Sequence, residues 1–127
     1  MRVVVAAQGD HVQDGLISRI REEGHEVVGV ARDAFESIEV VRHVRPDLIL
    51  LDVDPPELHG LEAARAIKER SPETRVLLVT SANGGCGEVI ETLRAGVEGY
   101  VLKEMPEGQL ARTLRQVAGT DVIKEAS

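Results

Sequence analysis

Two kinds of apolar run alternate along this chain. Aliphatic, largely β-branched stretches at residues 2–7, 27–31, 48–51, 75–79 and 98–102 read as strands. Between them apolar residues recur every three or four positions, the spacing of a helix that buries one face. Val12, Leu16 and Ile20 share such a stripe within residues 12–23, closed by Gly24. Ile38, Val41 and Val44 form another within residues 34–44, which stops before Pro46. Leu61, Ala64 and Ile67 mark a third over residues 61–70, and residues 88–95 and 107–117 supply the last two. The run Leu48 to Leu51 is apolar without alternation, as expected of a strand covered on both faces.

Five strand and helix pairs in strict succession predict an α/β fold with right-handed crossovers and helices on both faces of a parallel sheet. The topology that fits this count is the flavodoxin-like (βα)5 arrangement, doubly wound, with strand order 2-1-3-4-5. Ligands of such sheets bind beyond the carboxyl ends of the strands. Three of the predicted strands stop on residues suited to a phosphoryl group: Leu48 to Leu51 on Asp52, Val76 to Val79 on Thr80, Tyr100 to Leu102 on Lys103. Parallel strands bring a carboxylate, a hydroxyl and an ammonium to one sheet edge. A carboxylate can hold a phosphoryl group as an acyl phosphate, and a hydroxyl and an ammonium stabilise charge on its oxygens. The first strand ends instead on Ala7 and Gln8, where a divalent cation would want acids.

Composition narrows the class. At 127 residues the chain is long enough for one core without staples, and we expect one domain over residues 2–118 followed by a tail or the start of a linker over 119–127. No apolar run approaches the ~18 residues of a membrane span, and no secretory leader is visible. Cys86 is a single cysteine and cannot form an internal disulfide, consistent with a cytoplasmic setting. A net charge of -7 argues against nucleic-acid binding by this domain alone, since phosphate contact rests on clustered Lys and Arg.

Several segments together resemble the receiver domains of two-component response regulators. Asp47-Leu-Ile-Leu-Leu-Asp52-Val-Asp54-Pro-Pro56 through Gly60-Leu-Glu is similar to the phosphoacceptor strand and its loop. Val79-Thr80-Ser81 is similar to the switch-hydroxyl segment, and Gly99-Tyr100-Val-Leu-Lys103 to the segment of the switch aromatic and the lysine. Glu26-Val-Val-Gly-Val, Arg94-Ala-Gly and Gly99-Tyr100 resemble the subfamily that usually carries a helix-turn-helix output domain. The resemblance covers residues 2–118 and implies phosphoryl transfer from a histidine kinase to Asp52. Thr80 and Lys103 would then assist, and Thr80 with Tyr100 would act as the switch pair, Tyr100 moving between buried and exposed positions. It also implies magnesium bound by an acidic pair, by Asp52 and by the backbone carbonyl of Asp54. A homodimer through the face of the fourth helix, fifth strand and fifth helix follows from the same likeness.

The acidic pair is the point of departure. Matching Arg2-Val-Val-Val-Ala to the first strand puts Ala7 and Gln8 on its positions; a rival register uses Asp10 and His11 but lengthens the strand and shortens the helix. The first register is preferred, and with it magnesium binding is expected to be weak or absent, with an Asp52 to Lys103 ion pair in its place. Two functions follow: a phosphorylatable receiver, or a receiver-like module set by partners or ligands instead of phosphate. Neither is an enzyme beyond accepting a phosphoryl group. A third reading, a flavodoxin-like small-molecule binder such as a cobalamin domain, finds only a passing likeness in Asp10-His11 and Gly15. The glycine-rich segment Asn83 to Gly87 reads as a loose loop on the partner-binding face, and His11, His25, His43 and His59 show no ligand spacing.

Overall fold

The computed structural model describes residues 1–54, 59–81, 96–104 and 108–126, with side chains through residue 118. Its strands are β1 (Arg2–Ala6), β2 (Glu26–Ala31), β3 (Leu48–Asp52), β4 (Arg75–Thr80) and β5 (Gly99–Leu102). The helices are α1 (Asp10–Glu22), α2 (Ala34–Val44), α3 (Gly60–Arg70) and α4 (Gln109–Ala126). All strand pairs are parallel, in the order β2-β1-β3-β4-β5. The topology predicted from the alternating runs is the one observed. The helix predicted over 88–95, with Pro56, Cys86 and the segment 83–87, lies outside the described residues.

Alternation along the strands splits the core in two. Val4, Ala6, Ile49, Leu51, Val76 and Leu78 face α2 and α3 and join Val41, Ala64 and Ile67. Val3, Val5, Leu48, Leu50, Leu77 and Val79 face α1 and α4 and join Leu16, Ile20 and Leu114. Side chains one residue apart on a strand point to opposite faces, so an unbroken apolar run feeds both layers. The core is aliphatic: Phe35 is 73% exposed and Tyr100 44% exposed. Tyr100 is therefore not a core residue.

The helix boundaries have local causes. Asp33 caps α2 by accepting from Glu36 N at 2.8 Å, and Gly24 takes φ 84 after α1, a left-handed turn that glycine adopts without steric cost. α4 runs through Gly119 to Ala126, past the end expected near Val117. Val117 is the last buried residue among the side chains described on it.

β1 ends at Ala6 and α1 already begins at Asp10. These bounds leave Ala7 and Gln8 as the residues directly after the strand and place Asp10 in the first helical turn. The strand is not lengthened nor the helix shortened as the register built on Asp10 and His11 would require.

Candidate functional site

The sheet ladder carries three side chains to one place. Asp52, the last residue of β3, pairs with Val79, and Val53 N donates to Val79 O at 3.0 Å, extending the ladder one step. Thr80 ends β4 opposite Leu102, and Lys103 N donates to Thr80 O at 2.8 Å. Lys103 Nζ lies 3.0 Å from Asp52 Oδ2. The carboxylate and ammonium expected to meet do meet, with the Asp52 side chain only 4% exposed.

Thr80 reaches the same cluster through a residue whose side chain sequence reasoning passed over. Its hydroxyl donates to Asp54 Oδ1 at 2.9 Å, and the Ser81 backbone N–H donates to Asp54 Oδ2 at 2.6 Å. Asp54 Oδ2 is also 3.5 Å from Lys103 Nζ, and Asp54 N donates to Asp52 Oδ1 at 3.0 Å. Sequence reasoning gave Asp54 only a backbone carbonyl to offer. The available signal was its spacing: residues two apart in extended chain share a side, and Val53 between them is buried in the α2 and α3 layer. Gly60 makes this possible. A Cβ at Gly60 would sit 2.8 Å from Val53 Cα and 3.1 Å from Asp52 O, so only glycine lets the start of α3 close against this loop.

Two carboxylates thus share one ammonium. Burial pushes the Asp52 carboxyl above its usual range, the Asp54 N–H and Lys103 oppose that rise, and the charge of Asp54 adds to it.

Beside Asp52 is a recess of about 20 Å³ whose lining includes Ala7, Gln8, Arg32, Asp33, Asp52 and Asp54. That volume holds about one water or one small ion. Magnesium favours six oxygens, commonly one or two carboxylates with waters and substrate oxygens. Ala7 brings a buried methyl group and Gln8 a neutral amide, while Asp52 and Asp54 both contact Lys103. No three His, Cys, Asp or Glu side chains gather as a metal site among the described residues. The residues present do not fit a carboxylate-rich magnesium site.

Other positions complete the picture. Gln13, absent from the sequence expectations, donates from Nε2 to Ala7 O and Ala31 O, both at 3.3 Å, and ties the ends of β1 and β2 together. His59 precedes α3 in a left-handed conformation with φ 61, and its ring contacts Glu62 at 3.6 Å. Tyr100 lies on β5 with its ring partly in solvent.

Comparison with known proteins identifies the family. A model of the response regulator receiver domain matches residues 3–115. The chain is 33% identical over 120 residues to the uncharacterized transcriptional regulatory protein YhcZ of Bacillus subtilis, covering 94% of this chain and 55% of that protein. It is 37% identical over 101 residues to the nitrate/nitrite response regulator NarL of Escherichia coli K12, covering 79% of this chain and 46% of that one. The chain therefore spans about half the length of these relatives. A LuxR-family two-component response regulator from Aurantimonas superposes with a TM-score of 0.82 at 28% identity, covering 98% of this chain and 93% of that one. The chain belongs to the response regulator receiver domain family of two-component signalling, with homologues of the NarL and LuxR type.

Proposed function

We propose that this receiver carries its phosphoacceptor position at Asp52 and signals with weakened or lost magnesium-dependent phosphorylation. The observation that carries the reading is the end of β1, where Ala7 and Gln8 flank the recess beside an Asp52 already paired with Lys103 at 3.0 Å. In transfer from a phosphohistidine, an Asp52 oxygen would form the new P–O bond as the P–N bond breaks. The electron pair leaves on the imidazole nitrogen, which takes up a proton. Lys103 and Thr80 stabilise charge on the transferred oxygens, and Thr80 with Tyr100 conveys the change to the surface. Asp52 and the Asp54 backbone carbonyl are the ligands that would hold magnesium, which would supply neutralisation of phosphoryl charge.

The same reading makes a histidine kinase or another signalling protein the upstream partner and the cytoplasm the setting. The relatives support a role in transcriptional regulation, since one is named a transcriptional regulatory protein. A homodimer through β5, α4 and the neighbouring predicted helix fits the exposed ring of Tyr100 on β5. No described helix is long and apolar enough to cross a membrane.

Magnesium titration with and without beryllofluoride, a phosphoryl mimic, tests this reading through the amide resonances of Thr80, Tyr100 and Lys103. Little response at millimolar magnesium is expected. Tight, metal-dependent uptake by the unaltered protein would overturn it.

A further inference from the structure

The donors that a phosphoryl group on Asp52 would need are not waiting for one. Phosphoryl oxygens are held by hydroxyl, backbone N–H and ammonium groups aimed at a common point. Here those groups are the Thr80 hydroxyl, the Ser81 N–H and the Lys103 ammonium, and all three contact the same carboxylate. Asp54 receives them at 2.9, 2.6 and 3.5 Å. The Asp54 side chain is only 18% exposed, and its own N–H is tied to Asp52 Oδ1 at 3.0 Å, which fixes the backbone from which the carboxylate projects.

We propose that the Asp54 carboxylate is an intramolecular anion occupying the phosphoryl-binding donors, and that it sets both the site's affinity for phosphoryl-type anions and the resting position of Thr80. The inference rests on the phosphoacceptor reading of Asp52 for the identity of the anion displaced.

Three consequences follow from charge and geometry. A phosphoryl group adds roughly two negative charges at neutral pH. It would arrive beside two carboxylates with Lys103 as the ammonium in contact with both. Asp54 must therefore leave before the group can take the donors. Hydrogen bonds to an ionised acceptor are about twice as strong as neutral ones, so that departure is costly. Thr80, 1% exposed, is meanwhile held toward the site without any phosphate, in the inward position that phosphorylation would otherwise have to enforce. Tyr100 on the next strand is 44% exposed.

The test compares the unaltered protein with Asp54→Ala and Asp54→Asn. Without any ligand, the Ser81 amide should move upfield and exchange faster with solvent in Asp54→Ala, because it has lost a charged acceptor. Asp54→Asn, which keeps a neutral acceptor oxygen, should fall between. With magnesium and beryllofluoride present, Asp54→Ala should bind the mimic at least tenfold more tightly than the unaltered protein, about the effect of one charge-assisted hydrogen bond. Equal or weaker binding by Asp54→Ala would overturn the inference while leaving Asp52 as phosphoacceptor intact. If none of the three proteins binds beryllofluoride, magnesium-dependent uptake at Asp52 is lost outright, as the proposed function expects. The Ser81 amide then decides this inference alone, and an unchanged resonance and exchange rate in Asp54→Ala would sink it.

Discussion

The two ends of the sheet each hold a lysine against acids, and they are built on opposite principles. At the amino end, Lys68 Nζ donates to Pro72 O at 3.1 Å and Thr74 O at 3.0 Å and pairs with Glu98 at 3.1 Å. Glu98 in turn accepts from Val76 N at 2.8 Å. Arg2 joins the same end, donating through its guanidinium to Val44 O and Arg45 O and through its backbone to Asp47. One ammonium meets one carboxylate there, and the remaining contacts are backbone groups that loops would leave open. At the carboxyl end, Lys103 faces both Asp52 and Asp54, and burial outweighs its pull on Asp52. A matched pair serves the fold, while a surplus carboxylate in a buried cleft stores repulsion that chemistry or conformational change can use.

Substitutions at the two ends should separate these designs. The largest loss is expected for Lys68→Met, which strips charged contacts from Pro72 O, Thr74 O and Glu98 around a side chain only 11% exposed. A fall of about 2–4 kcal/mol in unfolding free energy is expected by denaturant titration, with no change in anion binding at Asp52. A loss below about 0.5 kcal/mol would show that the amino end is as loosely matched as the other.

Gly60→Ala comes next. The added methyl must push Val53 or the start of α3 aside, at a cost of about 1–3 kcal/mol. Because Val53 lies between Asp52 and Asp54, the amide shifts of both acids should move as well. Destabilisation without those shifts would detach Gly60 from the site.

Asp52→Asn should have the smallest effect and the opposite sign. Burial holds the Asp52 carboxyl above its usual 3.8, so ionising it works against the folded state. That penalty is absent below the unfolded value, where the group is protonated in both states, and complete above the folded value. The amide variant should therefore melt a few degrees higher at neutral pH, with the gain shrinking as pH falls through the folded pKa toward 3.8. Glu98→Gln, at the matched end, should lower the melting temperature instead. A stabilised Glu98→Gln would erase the contrast.

Much of this arrangement was legible in the chain. Apolar periodicity separates strands from helices wherever one or both faces are buried, and parallel strands must deliver Asp52, Thr80 and Lys103 to one edge. The position of Ala7 and Gln8 directly after β1 was legible too, because it follows from where the apolar run ends. The Asp54 carboxylate escaped because its direction depends on the backbone just after β3, where Gly60 approaches Val53 closely. Tyr100 offered no pattern to distinguish core from surface: it is the one tyrosine in a chain with one phenylalanine and no tryptophan. The far end of α4 escaped because Gly119 reads as the start of a tail, whereas the helix continues through it to Ala126.

Restoring the missing charge probes the central claim most directly. The combined substitutions Ala7→Asp and Gln8→Asp rebuild an acidic pair at the recess beside Asp52, and magnesium binding can be followed through the Asp52 and Lys103 amides. The altered protein should titrate in the millimolar range or below, while the unaltered one barely responds. Equal titration of both proteins, or none in the acid-restored one, would contradict a site whose cation ligands were lost from the end of β1.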